Sequence, residues 1–293
     1  MSDWGKGVNN NIGWGQGANN DIGWGSIYDK SNAGETLLKA ESFFLDTFTG
    51  ASLGLSLVRL RKEYTGFCIK VRRSSDNSEL DIGFVDGVLD TASLLDFVGS
   101  GNGFVSIIYD QVGSNNMTQT ISSLQGQIVS NGSLILKGGK PCIIREASEN
   151  GGYLSSYAPN DGAAVKGVFY VGDNEGRNST LIGSSSTNDY ILISRIGNSS
   201  TNIYQNASLS NIKINGSSVS FANTGESFTA TDLHFLLYAE IDFDFNSNDI
   251  RLGYPVLTSA IGMYTFQELV IFENTDDAVA KENNINARYN NIY

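Results

Sequence analysis

The chain has 293 residues, 40% of them hydrophobic and only 17% charged, with a net charge of −12. That length holds one large domain or two ordinary ones. The acidic balance excludes a nucleic-acid partner, because no basic stripe exists to meet phosphates; the one cationic cluster, Arg59, Arg61, Lys62, Lys70, Arg72 and Arg73, is interleaved with acids. Glycine is abundant at 33 and proline scarce at 3, a balance that favours many short strands joined by tight turns. No apolar run approaches the roughly 18 residues of a membrane span. Cys68 and Cys142 lie in apolar strand-like runs and read as buried free thiols. The start, Met1-Ser2-Asp3-Trp4, has no charged and no apolar leader region, so synthesis in a cytoplasm is expected.

Residues 4–13 and 14–23 repeat one another. Trp4-Gly5 and Trp14-Gly15 open the two copies, and Trp24-Gly25 opens a third that breaks off. One large apolar side chain per copy, on a glycine- and asparagine-rich backbone, cannot build a core. Tryptophan is nevertheless a frequent binding anchor, with a large apolar face and a single N–H to place. Residues 1–40 therefore read as an arm and connector, with Trp4, Gly5, Trp14, Gly15, Trp24 and Gly25 as the candidates for attachment to a particle of repeated subunits. Residues 41–293 read as a single further domain.

Within that domain Leu53 to Tyr64 is helix-like, with Leu55, Val58 and Leu60 apolar and Arg59, Arg61 and Lys62 outward, stopped at Thr65-Gly66. Phe67–Arg72, Leu80–Val85 and Phe104–Tyr109 read as strands. A short helix between the last two is capped by Asp90 and turns Ala92, Leu94, Leu95, Phe97 and Val98 inward. Gln127–Leu136, Val165–Val171 and Tyr190–Ile196 read as strands, and Ile212 to Phe221 as a hairpin around Asn215-Gly216. Leu233–Phe245 and Met263–Phe272 are the longest strands. Thr275 to Tyr289, opening with Asp276-Asp277, closes the chain as a helix. The expected fold is all-β: a two-sheet jelly-roll sandwich with a few short helices, behind an extended Trp-Gly-rich arm.

The chemistry-bearing candidates are few. In Glu240-Ile241-Asp242-Phe243-Asp244-Phe245, alternation puts Ile241, Phe243 and Phe245 in the core and the acids on the opposite face, successive carboxylates about 6.6–6.8 Å apart by strand rise. That column either contacts sugar hydroxyls or a hard cation, or is a solvated face. Asp110 ends an apolar strand and either meets ligand in the sandwich mouth or caps a turn through backbone N–H groups. Arg72 and Arg73 either clamp an anion or pair internally with Asp76 or Asp81. His234, the only histidine, reads as a packed strand residue, which leaves no Ser-His-Asp or Cys-His arrangement and no zinc site. Gly99-Ser100-Gly101-Asn102-Gly103 lacks a following Lys-Ser/Thr and reads as a turn. Tyr153, Tyr157 and Tyr204, in Ser/Asn/Gly-rich surroundings, are able to stack on sugars.

Several stretches together resemble a known family: Tyr64-Thr65-Gly66, Ile69 to Asn77, Asp81-Ile82-Gly83-Phe84, Leu89-Asp90, Phe97 to Val105, and Tyr109-Asp110-Gln111. In this order they resemble the α-L-arabinofuranosidase B type of concanavalin A-like (laminin G-like) domain. Gln267 to Phe272 and Asn284 to Ala287 resemble the last strand and helix of such lectin-like domains. Ile108 stands where the family has tryptophan, and the family's catalytic nucleophile and acid fall on no position of this sequence, so no catalytic residue is assigned. The Trp-Gly arm resembles the start of virion proteins of crAss-like phages, in which such domains are common on fibres. These resemblances imply a structural protein of a phage virion, a head or tail fibre or decoration assembled in the host bacterial cytoplasm. It would be anchored by its arm to capsid or tail proteins, would form a homo-oligomer (trimer or dimer), and would need no cofactor and no metal. Tyr109, Asp110, Gln111 and Asp242 are its candidates for binding host-surface glycan. The alternative is a glycoside hydrolase of arabinofuranosidase type acting on surface polysaccharide.

Overall fold

The computed structural model describes residues 43–145, 153–155, 165–173, 179–184, 190–195, 201–205, 209–219, 227–228, 234–243, 250–252 and 264–293. The chain divides into two units, Met1–Glu41 and Ser42–Tyr293, and all of these residues lie in the second. The strands used below are β1 (Ala51–Ser56), β2 (Ile69–Arg73), β3 (Glu79–Ile82), β4 (Gly103–Ile108), β5 (Gly126–Ser130), β6 (Ile143–Arg145), β7 (Val165–Asp173), β8 (Leu209–Ile214), β9 (Ser217–Val219), β10 (His234–Phe243) and β11 (Tyr264–Phe272). The helices are α1 (Phe44–Thr47), α2 (Thr91–Val98) and α3 (Ala278–Arg288).

The fold is an all-β sandwich with antiparallel pairing. One layer runs β9-β8-β10-β7-β11, and β11 continues to β1 along Leu53–Ser56 and to β6 at Phe266. The other opens β3-β2-β4-β5. Pairing of Ile144 with Gln127 joins the layers at one edge.

The first layer is buried on both faces. Val168, Tyr170, Leu237, Leu269 and Ile271 face the inter-sheet core with Ile69, Val71, Val105 and Ile128. The alternate residues Phe169, Val171, Leu236, Tyr238, Val270 and Phe272 pack outward under Phe44 and Leu45 of α1 and Ile285 of α3. A strand covered on both faces needs apolar residues in succession, which is why Val168–Val171 and Leu269–Phe272 show no alternation.

Structure and sequence part at several places, the shortest at Gly83, where Leu80–Val85 splits into β3 and a separate two-residue strand, Phe84–Val85, paired with Val88–Leu89. Residues Leu53 to Tyr64 form no helix: Leu53, Leu55 and Leu57 alternate into the inter-sheet core, while Leu60 enters the outer one. Gln127 to Leu136 is not one strand but a hairpin about Asn131-Gly132, both at positive φ (48° and 75°) with Ser130 opposite Ser133. The same two-residue turn recurs at Asp86-Gly87, Gly138-Gly139 and Asn215-Gly216, as right-handed strand twist favours. At α3, Asp277 occupies the cap position but its carboxylate makes no capping bond. Lys281 Nζ instead ties the helix start to the Asp276 carbonyl (2.5 Å) and Asn274 Oδ1 (3.1 Å). The α2 cap is as expected, the Asp90 carboxylate accepting from Ser93 N (3.0 Å) and Ser93 Oγ (2.6 Å).

Candidate functional site

The second layer turns a polar face outward, and that face carries aromatic rings. Phe67, just before β2, is 49% exposed, although nothing in the core requires it to be outside. It is held there by its own loop: Tyr64 Oη donates to the Phe67 carbonyl (2.7 Å). Gly66 lies so close beneath the Tyr64 phenol that a Cβ would stand 2.6 Å from Oη, so any larger residue displaces the ring. Tyr64 in turn meets Phe84 edge-on at 6.2 Å.

Beside Phe67 stands Tyr109, half-buried, ring centroids 6.0 Å apart and tilted by 49°. The Tyr109 amide donates to the Cys68 carbonyl (3.0 Å) and its hydroxyl to Asp81 Oδ1 (2.5 Å). Burial first, then the Asp81 carboxylate, holds the Tyr109 phenol well above the usual tyrosine range. Lys70 Nζ approaches the same oxygen at 3.7 Å, because β2 and β3 pair Lys70 with Asp81. Oδ2 of Asp81 has no partner among the described residues. Farther along the face, the Arg72 guanidinium lies over the Phe104 ring at 4.9 Å and donates to Gln125 Oε1 (2.7 Å). Two partly exposed rings beside an open carboxylate oxygen and an ammonium can stack on the C–H face of a sugar and bond its hydroxyls.

The neighbouring candidates sit differently. Asp110 is 2% exposed. Its Oδ1 accepts from Gly54 N (3.0 Å) and Val112 N (2.9 Å), its Oδ2 from Gly113 N (3.0 Å) and Asn115 N (3.2 Å). Of the two roles open to it, it fills the turn-capping one, and it also bolts the turn to β1. Gln111 is buried as well: Oε1 accepts from Leu60 N (2.7 Å), and Nε2 donates to the Ser56 and Val58 carbonyls (both 3.0 Å). Tyr109 alone of the three presents a ring at the surface. Arg73 pairs with Asp76 at 2.6 Å, the internal alternative.

In the acidic column, Glu240 is half-buried and accepts from Tyr238 Oη (2.8 Å) and Asn211 Nδ2 (2.7 Å). Leu236 and Tyr238, on the same face, are covered by α3 rather than open to water. Asp242 lies on β10, but its side chain, like all of Asp244, falls outside the described residues. So do Tyr157, the side chains of Tyr153 and Tyr204, and Trp4, Gly5, Trp14, Gly15, Trp24 and Gly25. Among the described residues no group of three His, Cys, Asp or Glu is placed to hold a metal.

Sequence reasoning missed a buried polar cluster behind β11. Glu268, fully buried, accepts Arg288 Nη2 on Oε1 (2.8 Å) and Arg288 Nη1 (3.0 Å), Ser56 Oγ (2.7 Å) and Tyr289 Oη (3.2 Å) on Oε2. Its neighbour Gln267 meets His234 Nε2 at 2.5 Å and donates to the Lys137, Lys140 and Pro141 carbonyls. The available signal was Gln267-Glu268 interrupting an otherwise apolar strand. A buried carboxylate that holds four donors, two of them from one guanidinium, is a clamp rather than a reagent.

Neither a protein-family model nor a curated protein matches the sequence. Solved structures do match in fold. A GH54 α-L-arabinofuranosidase soaked with a cyclic sulfate inhibitor is 16% identical, with a TM-score of 0.56, over 80% of this chain and 62% of that one. An arabinofuranosidase complexed with arabinofuranosyl-α-1,2-xylobiose is 16% identical, with a TM-score of 0.57, over 80% and 61%. A mutant GH54 enzyme soaked with 4-nitrophenyl α-L-arabinofuranoside gives 0.56 at 16% identity. This chain thus has the β-sandwich fold of these arabinofuranosidases and matches about three-fifths of their length (61–62%).

Proposed function

We propose that this chain is a carbohydrate-active protein of the arabinofuranosidase type, directed at α-L-arabinofuranosyl groups on a surface polysaccharide. The observation that carries the reading is the fold, shared over 80% of the chain with three arabinofuranosidase structures, one of them holding an arabinofuranosyl-xylobiose. The Phe67–Tyr109 face supports it, because an exposed ring and a half-buried one beside Asp81 and Lys70 suit a neutral sugar. Hydrolysis needs two carboxyls about 5–5.5 Å apart for retention or roughly 6.5–9.5 Å apart for inversion. Asp110 and Glu268 are spent on structural bonds, so among the remaining acids Glu240 and Asp242, two apart on β10 and on a different layer from the ring pair, are the first to test for a hydrolytic role.

The test is incubation with 4-nitrophenyl α-L-arabinofuranoside. Release of nitrophenol that disappears in Asp242→Asn supports hydrolysis through that strand. Absence of release, with saturable binding that Phe67→Ala abolishes, supports recognition without cleavage. Absence of both overturns the proposal.

The Trp-Gly repeat favours a second reading, compatible with the first. Its three indoles, one per ten residues, suit attachment to repeated subunits such as the capsid or tail proteins of a virion. The sandwich would then be a projecting, glycan-binding head in a homo-oligomer. Deleting residues 1–30 should remove the protein from purified particles; undiminished co-purification would refute attachment through the arm.

A further inference from the structure

Four segments meet around a pocket of about 160 Å³. Its walls are Leu57 and Val58 after β1, Val88 and Leu89 of the Asp86-Gly87 hairpin, Pro141, and the ring of Tyr289 at the end of α3. The volume equals about five waters at ~30 Å³ each, the size of a short acyl chain or one ring. Val88, at the mouth, is 47% exposed, and Leu136, directly opposite Pro141 on its hairpin, is 50% exposed, so apolar surface continues outward.

Two polar groups line this apolar pocket, Lys140 and Thr91. Neither the Lys140 ammonium nor the Thr91 hydroxyl has a partner among the described residues. The other polar groups nearby are committed. Tyr289 Oη bonds Glu268 and the Gln267 carbonyl, and the Asp90 carboxylate is turned onto Ser93. In a chain of net charge −12, one ammonium on the lining of an apolar pocket favours a ligand with a single anionic group.

We propose that this pocket binds a small apolar carboxylate. The hydrocarbon part lies against Leu57, Val58, Leu89 and Pro141, and the carboxylate accepts from Lys140 Nζ and Thr91 Oγ1. The apolar walls exclude a fully hydroxylated sugar, whose hydroxyls would go unbonded there. The site thus differs in chemistry from the aromatic face and rests on no reading of it.

The test titrates the full chain with benzoate and, separately, with uncharged benzyl alcohol, following the methyl resonances of Leu57, Val58, Val88 and Leu89. Benzoate should bind saturably and tighter than the alcohol. Lys140→Met should weaken benzoate at least about fivefold, as loss of a charge-assisted bond does, while leaving benzyl alcohol and the melting temperature unchanged. Equal affinity for the two probes, undiminished benzoate binding by Lys140→Met, or no saturation with benzoate would each overturn the assignment.

Discussion

The carboxylate of Glu268 and the guanidinium of Arg288 meet at two points, 2.8 and 3.0 Å, with the carboxylate fully removed from water. This pair fastens α3 to the face of β11 that looks away from the inter-sheet core. Lys213 to Glu282 (2.8 Å) makes a second fastening, from β8 to the same helix. Removing one partner of a buried pair strands the other, at a cost of about 3–5 kcal/mol. Glu268→Ala should therefore lower unfolding free energy by that order in urea denaturation, and a loss under ~1 kcal/mol would show that the Glu268–Arg288 pair is not what holds the helix.

Asp110 makes a different commitment. Each of its oxygens serves two backbone N–H groups, so Asp110→Asn turns an NH₂ toward two donors whichever way the amide faces. A buried unsatisfied group costs roughly 1–3 kcal/mol, more where the lost partner was charged. We expect the variant to be destabilised by at least about 2 kcal/mol. Wild-type stability with loss of sugar binding would instead make Asp110 a ligand contact.

Alkaline pH probes the packing of the phenols. Burial pushes Tyr64 up to about 12, and raises Tyr109, Tyr238 and Tyr289 as well. In the unfolded chain these groups ionise near the ordinary value of about 10. The folded form keeps its protons longer, so this contribution to stability is complete below pH ~10 and is lost as pH rises toward 12. A phenolate absorbance titration should show these tyrosines ionising late and together with unfolding. Ionisation of all tyrosines near 10 in a still-folded chain would contradict the burial.

Much of the sandwich was legible because its signals are local. The α2 cap at Asp90, the Asn215-Gly216 turn and the long strands β10 and β11 each follow from a few adjacent residues. Leu53 to Tyr64 was misread because Leu55, Val58 and Leu60 mimic helical spacing, whereas the residues serve two cores on opposite sides of one layer. That double burial also hides strand alternation. In the acidic column, nothing local to β10 tells that α3 covers Leu236 and Tyr238 on the same face as Glu240. For the candidate face, Tyr109 was visible but Phe67 was not: its exposure depends on the Tyr64–Gly66 loop, and sequence alone placed it as a strand residue. Glu268 and Arg288 are joined only by the docking of α3, which no local pattern announces.

The account turns on recognition of an arabinofuranosyl group. The most direct measurement is calorimetric titration of the full chain with arabinofuranosyl-α-1,2-xylobiose, with plain xylobiose as control. The account predicts saturable binding of the arabinosylated sugar alone, lost in Phe67→Ala without change in melting temperature. Equal binding of both sugars, or of neither, would contradict it.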